Sequence, residues 1–415
     1  MKIAVIPDIH LNKSLYGVMD KNDPQLPFRT VDFMKSFDYM VNKCINDLKP
    51  DLFVIPGDVY DKCSRVSDTV RGFFSSQLSK LASAKIPVIA LVGNHDISKK
   101  NHALKDIGEL KLKNIMVIDE PKIVVFKNVQ LFLFPYSLDV EQQKKTIKED
   151  FNDFLKEIHA KKTDMTSFFF GHFGVRGALI NEYGDDSDED VFTNTTTTSA
   201  YKNKNPDDID CDDLDSIGAD YVFLGDYHKH QVLKTKKCIA MYPGSIEKTS
   251  FTEIDQKKGF VFYDSDAEEV KDYGKCRFIE YPNCRPMLEL NGNLVSMKEM
   301  FKKVDCSKYQ DAIVKLKFTG LPSELIDYSS GEEMFKKEIR EKLNPVYIDF
   351  VNKAKDEKKE QEATELEQSI MENGHLSNND VKEVVKEIIK ERIKDEKEIK
   401  LINDLNNEIY SETVG

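Results

Sequence analysis

Five short runs of the chain carry residue types that could hold metal ions: Asp8-Ile9-His10, Gly57-Asp58, Gly93-Asn94-His95-Asp96, Gly171-His172 and Gly225-Asp226-Tyr227-His228. Carboxylate, amide and imidazole donors with no thiolate among them suit divalent manganese, magnesium, iron or zinc in a hydrolytic site. Residues two apart in an extended chain share a face, so Asp8 and His10 could reach one ion. The donors outnumber the needs of a single ion. Two ions about 3.5 to 4 Å apart, bridged by a carboxylate, would use them and would clamp the attacking and leaving oxygens of a phosphoryl transfer.

Taken singly, each run has a plainer reading, since polar residues commonly end strands and Gly-Asn-His-Asp could be a simple turn. Together they are informative, because each closes an apolar segment. His102, His159 and His375 lie in no such context and are expected at the solvent-exposed surface.

The apolar segments read as strands at 3–7, 52–56, 88–92, 115–118, 123–126, 131–135, 168–171, 221–225, 239–242 and 259–263. Helix-period residues follow the first two, with Val31, Met34, Phe37, Val41, Cys44, Ile45 and Leu48 in one segment and Val66, Val70, Phe73, Phe74 and Leu81 in the next. Strands spaced by helices predict parallel pairing, and the closer spacing of the later strands predicts antiparallel pairing, in a layered α/β sandwich. Sheets of this kind place ligands at strand carboxyl ends, where the five runs sit, and glycine there lets the backbone turn tightly.

Residues 181–213, with an acidic run at 185–190 and a tract of four threonines, read as an exposed insertion. From 277 to 344 a small α+β domain is expected, with strands near 287–290 and 313–318 and helices near 297–304 and 332–343. A linker-like stretch at 353–368 then precedes an apolar stripe through Val381, Val384, Val385, Ile388, Ile389 and Ile393, continued by Ile399, Ile402, Leu405 and Ile409. A helix with one apolar face must bury it against something.

The chain has 415 residues, enough for two or three domains, with 40% hydrophobic residues, 32% charged residues and a mean hydropathy of −0.49. A purely disordered or fibrous protein is excluded, and no apolar run approaches the length of a membrane helix. The N-terminus enters a strand directly, so no signal peptide is expected. Seven scattered cysteines without a CxxC pair argue for reduced thiols in a cytoplasm, against a disulfide framework or a zinc–thiolate site. The net charge of −13 argues against nucleic acid only if location is ignored. Residues 353–415 hold 17 Asp and Glu against 11 Lys and Arg, and the 185–190 run adds five acids, so the rest of the chain is nearly neutral.

The ordered motifs Asp8-Ile9-His10, Gly57-Asp58-Val59-Tyr60-Asp61, Gly93-Asn94-His95-Asp96, Gly171-His172 and Gly225-Asp226-Tyr227-His228 resemble those of the calcineurin-like metallophosphoesterases. Within that superfamily they are most similar to SbcD-type DNA double-strand-break repair nucleases and their phage recombination counterparts. The resemblance is strong over residues 1–265, weak over the following segment, and at the C-terminus one of layout. It implies an α/β fold: a layered α/β/β/α sandwich over 1–276, a small α+β capping domain over 277–344, and a helical C-terminal tail over 345–415.

Position by position, the resemblance implies one ion on Asp8, His10, Asp58 and His228 and a second on Asp58, Asn94, His172 and residue 226, with Asp58 bridging. His95 would protonate the leaving 3′-oxygen or steady the phosphate charge, and Asp96 would orient His95. The chain departs from the family at one position, with Gly225-Asp226-Tyr227-His228 in place of Gly-His-x-His. Asp226 could replace the imidazole as a hard oxygen ligand, His230 could supply it if the chain stays extended, or the second site could be weakened.

A manganese-favouring nuclease is implied, with magnesium as the alternative ion, acting as a 3′ to 5′ exonuclease and as an endonuclease near ends and hairpins. Also implied are a homodimer through helices near 66–81 and 104–110, a bacterial or phage-infected cytoplasm, and an SbcC-type coiled-coil ATPase docked on helices within 381–409. Folding of those helices back onto the catalytic domain is the alternative. Lys13, Lys62, Arg65, Lys99, Lys100, Arg176, Lys229 and Lys248 lie near the motifs and could contact a phosphate backbone or be ordinary surface residues. Two other functions compete: a phosphomonoesterase or cyclic-nucleotide phosphodiesterase on the same site, and a catalytically weak scaffold that brings DNA ends to the ATPase.

Overall fold

The computed structural model describes residues 1–98, 101–109, 114–179, 208–320 and 322–353. His375, Lys99, Lys100, the 185–190 acidic run and the expected C-terminal helices lie outside the described residues. Two six-stranded sheets dominate. The first runs in the order Cys276–Glu280, Gly259–Asp264, Lys2–Val5, Leu52–Ile55, Val88–Leu91, Ile115–Ile118. Its last four strands pair parallel, and its first three antiparallel. The second runs Gln231–Val232, Ile239–Tyr242, Tyr221–Gly225, Thr166–His172, Val129–Phe134, Lys122–Phe126.

The second sheet corrects one expectation. Its later strands are antiparallel only at the two edges, whereas Ile239–Tyr242, Tyr221–Gly225, Thr166–His172 and Val129–Phe134 run parallel. A parallel crossover needs about a dozen residues, and 226–238 is just long enough to make one.

Side-chain alternation builds three apolar layers. Ile3, Val5, Leu52, Val54, Ile89 and Leu91 meet Leu131, Leu133, Phe168, Phe170, Phe223 and Met241 between the sheets. The opposite parity, Ala4, Phe53, Ile55, Val88 and Ala90, packs under helices Phe28–Lys43 and Asp68–Ser83. On the far side Phe132, Phe134, Phe169, Val222 and Leu224 pack under Ile147–Lys161 and Cys211–Ile217. Central strands apolar on both faces are what parallel sheets covered by helices require, and the result is an α/β/β/α sandwich.

Helix Ile147–Lys161 was not anticipated, although Thr146 and Glu149 form a complete capping box in the structure and stand three apart in the sequence. The final residues of the stretch expected to be an insertion belong to the fold instead. Ile209 is buried, and Asp210 caps Cys211–Ile217 while pairing with Arg176 at 2.6 Å. His102, expected at the surface, is buried with Nε2 3.4 Å from Asp119, because Ile97–Ser98 and Asn101–His102 fold into a short hairpin. His159 is exposed.

A third sheet joins Met287–Gly292, Ile313–Phe318 and Tyr347–Asn352. Two compact units are distinguished, and residues of the stretch expected to form a cap fall in both. The larger holds Met1–Glu289, Val304–Lys315 and Lys337–Asp349, and so both large sheets. The smaller holds Leu290–Lys303, Leu316–Lys336 and, of the described residues, 350–353. Its helix Leu294–Lys302 is capped by Asn293, and Phe301 meets Phe335 edge-on at 5.9 Å. All seven cysteines are free thiols. Among the described residues no helix is long and apolar enough to cross a membrane.

Phe134 is fully buried, with the rings of Phe151, Phe154, Phe169 and Phe173 at 5.6 to 6.2 Å. Phe134→Ala should cost about 3–5 kcal/mol, and Phe134→Leu clearly less, because the cavity left behind adds to the lost burial. Equilibrium unfolding in urea measures both, and equal midpoints for wild type and Phe134→Ala would refute this packing.

Candidate metal centre

The first strand ends at Val5, before Asp8 and His10 are reached. Asp8 (φ 51°), His10 (φ 48°), Asp58 (φ 52°) and Asp226 (φ 104°) all sit in left-handed backbone conformations. Asp8 and His10 therefore converge by turning rather than by sharing a face of an extended chain, which corrects the sequence expectation. Each such residue costs on the order of 1–3 kcal/mol and persists only if its surroundings hold it. Here the N–H groups of Ile9 and His10 donate to the Asp58 carbonyl at 2.8 and 3.1 Å, and that of Asp8 donates to the Gly57 carbonyl at 3.2 Å. The loops after the first two parallel strands are thus fastened together. Gly57 (φ 102°) is obligatory, since a Cβ there would lie 2.1 Å from His172 Nδ1. Gly93 is needed for closeness alone, a Cβ being 2.1 Å from Asp58 Oδ1.

Asp58 stands between two imidazole groups. Its Oδ1 lies 3.3 Å from His172 Nε2, and its Oδ2 lies 3.8 Å from His10 Nε2. His172 Nδ1 is 2.8 Å from the Pro56 carbonyl, which can only accept, so that nitrogen carries the proton. Its Nε2 lies 2.8 Å from Asn94 Oδ1 and faces Asp58 Oδ1, and against the pull of burial the Asp58 carboxylate holds the pKa of this ring up at about 10, so Nε2 would give up a proton when a cation binds. On the other side His10 Nε2 and His228 Nε2 approach to 3.1 Å. Asp8 Oδ2 and His10 Nδ1 are buried without a hydrogen-bond partner. Converging electron-pair donors and orphaned buried acceptors call for positive charge between them, so the residues fit divalent cations. Asp8, His10 and Asp58 bring their ligand atoms within 4.8 Å of one another, and so do His10, Asp61 and His95.

The contacts of Asp96 and of His230 differ from what was expected. Asp96 does not hold His95: its carboxylate accepts from the N–H groups of Tyr60 at 2.8 Å, Gly93 at 3.0 Å and Val59 at 3.2 Å, and so ties two site loops together. His95 is held through Nδ1 by the Asp61 carbonyl at 2.7 Å. His230 has both nitrogens engaged, by the Tyr242 carbonyl and the Tyr273 hydroxyl at 3.0 Å each, and its ring stacks on Phe278. Asp226 donates its N–H to Asp8 Oδ1 at 3.0 Å and lies within electrostatic reach of His172 and Asp58.

Sequence reasoning missed Asp61 and Glu253. The Asp61 carboxylate lies 2.9 Å from Lys13 Nζ and 3.6 Å from His10 Nδ1. Glu253 receives His228 Nδ1 at 2.9 Å. Asp61 was visible as the last residue of its motif, whereas nothing local marks Glu253.

Burial raises the carboxyl groups of Asp8 and Asp226 above the usual range. Burial also works to raise Asp58, yet the neighbouring imidazoles of His172 and His95 hold it well below that range. Against the pull of burial, Asp58 and the Asp61 carbonyl raise His95. A cleft of about 780 Å³ opens beside these groups, lined by His95, Asn94 and His228 together with Lys13, Lys62 and Tyr136.

Residues 1–230 match the profile of the calcineurin-like phosphoesterase family. Among curated proteins the chain is 26% identical to the SbcD subunit of the nuclease SbcCD from Staphylococcus epidermidis over 284 residues, covering 65% of this chain and 67% of that one. It is 24% identical to the protein of the same name from Staphylococcus saprophyticus over 307 residues, covering 71% and 72%. A solved dimetal phosphatase from Danio rerio aligns with a TM-score of 0.38 at 8% identity, over 63% of this chain and 91% of that chain. With more than half its length matched by the family profile, the chain belongs to the calcineurin-like phosphoesterases.

Proposed function

We propose that this chain is the nuclease subunit of an SbcCD-type DNA repair or recombination complex, hydrolysing phosphodiesters with two divalent ions, manganese being favoured. The observation that supports the chemistry best is the placement of Asp58, whose two carboxylate oxygens face two different imidazoles, His172 and His10. Similarity to the SbcD subunits of the staphylococcal nucleases supports DNA as the substrate. Asp8, His10, Asp58 and His228 would hold one ion, and Asp58, Asn94, His172 and Asp226 the other. Two such ions, when bound, supply the charge that ionises water near neutral pH and stabilises a leaving oxygen.

The chain's own residues do the rest. His95 Nδ1 donates to a carbonyl, so Nε2 is the nitrogen that gains or gives a proton, and the raised affinity of this ring for a proton suits a general acid at the leaving 3′-oxygen. Asp96 acts by fastening the loops that carry Asp58 and Asn94. Lys13 and Lys62 line the cleft where a phosphate backbone would pass. Cleavage as a 3′ to 5′ exonuclease and as an endonuclease near ends and hairpins, pairing into a homodimer, and residence in the cytoplasm complete the reading.

Manganese-dependent cleavage of linear and hairpin DNA, set against p-nitrophenyl phosphate, decides the substrate class. Faster turnover of the small ester, with DNA left intact, would favour the phosphomonoesterase. In the same assay His95→Ala should keep both ions and lose about 10²- to 10⁴-fold in rate. Asp58→Ala should lose both ions and activity, and two tightly held ions in that variant would refute the bridge.

Asp226→Ala should weaken one ion strongly in calorimetric titration, while His230→Ala leaves both affinities unchanged. The reverse pattern would transfer the ligand role to His230.

The apolar stripe within 381–409, which lies outside the described residues, is assigned to the ATPase, as an expected helix that would lay its apolar face into a groove at the base of the coiled coil. A chain ending at Asn352 should keep manganese-dependent nuclease activity and lose co-purification with the ATPase. Retained association, or a truncated chain that fails to fold, overturns the assignment.

A further inference from the structure

Behind His228, on its Nδ1 side, lies a buried charged pair that is not itself part of the cleft lining. Glu253 and Lys258 are about 1% exposed or less and pair at 2.7 Å. Glu253 Oε1 accepts from His228 Nδ1 at 2.9 Å and from the Thr249 hydroxyl at 2.6 Å, and Oε2 accepts from the Thr249 N–H at 2.8 Å. Thr249 Oγ1 also lies 3.1 Å from His228 Nδ1. Lys258 Nζ donates to the main-chain carbonyl of His228 at 3.0 Å, to Ser245 Oγ at 2.9 Å and to Gln256 Oε1 at 3.0 Å. His228 is therefore gripped twice by one ion pair, through its ring by the carboxylate and through its backbone by the ammonium.

Such a pair is a poor source of stability. Apolar residues of the same volume often stabilise as well or better, because two desolvated charges repay their burial only with excellent geometry. What this pair does supply is a fixed ring. An ionised carboxylate can only accept, so Nδ1 must carry the proton and Nε2 must present a lone pair toward His10 Nε2. Carboxylates placed behind metal-binding imidazoles do this work, and their loss typically lowers metal affinity 10- to 100-fold.

We infer that Glu253 and Lys258 are positioning residues for one of the two ions, fixing the tautomer and the aim of His228, with Thr249 steadying the carboxylate. The inference rests on the two-ion reading above. The double variant Glu253→Leu/Lys258→Met removes both charges at similar volume and leaves neither one stranded. In the full chain it should retain the wild-type circular dichroism. Titration with manganese alone should give one ion at wild-type affinity and the other at least ten-fold weaker. Electron paramagnetic resonance at one equivalent of manganese beyond the tight site should then lose the exchange-coupled pair signal, as it should also in His228→Ala.

Two ions at wild-type affinity with the coupled signal intact would overturn the clamp. If the double variant fails to fold, Glu253→Gln serves instead, since it keeps the volume and removes the acceptor-only carboxylate that fixes the His228 proton. It should weaken the same ion several-fold, and an unchanged affinity overturns the inference equally. A wild-type chain that binds fewer than two ions refutes the two-ion reading and this inference with it, whereas two ions bound with equal affinities in wild type and variant refute the clamp alone.

Discussion

The convergence of buried carboxylates and imidazoles on one point governs this molecule. Asp8, Asp58 and Asp226 crowd against His10, His172 and His228 at the carboxyl ends of two facing sheets, largely out of water. Burying so many polar groups together is costly, and any loosening that readmits water would relieve that cost. The surrounding chain is arranged to prevent that escape. Glycines without side chains let loops close to within contact, left-handed backbone is pinned by main-chain hydrogen bonds, and Asp96 spends its carboxylate on three N–H groups of neighbouring loops. The strain at four residues is the cost of aiming their side chains inward.

The apolar parities explain why such a site can be held at all. Ile3 and Val5 face the partner sheet while Ala4 faces the helices, and the same alternation repeats along each central strand. A one-residue slip in register would expose an entire apolar face, so register is firmly set, and with it the position of each loop that leaves a strand end. The ligands inherit the rigidity of the strands.

Much of this was legible in the sequence, for physical reasons that differ by element. Leu52–Ile55 and Val88–Leu91 are short apolar runs between helix-period segments, and they form the parallel strands that such spacing predicts. The ligand runs stood out because several polar donors interrupt apolar segments at their ends. What stayed hidden depends on contacts between distant residues. Glu253 meets His228 from 25 positions away, and its neighbours look like any polar loop. The role of Asp96 was misassigned because adjacency to His95 in sequence suggested contact, whereas the turn directs the two side chains to different partners. The parallel direction of Ile239–Tyr242 depended on the path of the connecting residues, which no local pattern encodes.

The ligand-bearing loops divide between the layers. Asp8, His10, Asp58 and Asn94 follow strands of the first sheet, while His172, Asp226 and His228 end or follow strands of the second. An unfolded chain offers only isolated fragments of the site, so cations bind almost entirely to the assembled state. On the two-ion reading proposed above, mass action would make each ion a fastener between the two sheets, adding about 2.7 kcal/mol to folding when its free concentration is a hundred times its dissociation constant. Metal supply in the surrounding solution would thereby govern how long the two layers remain joined, as well as whether the chemistry can run.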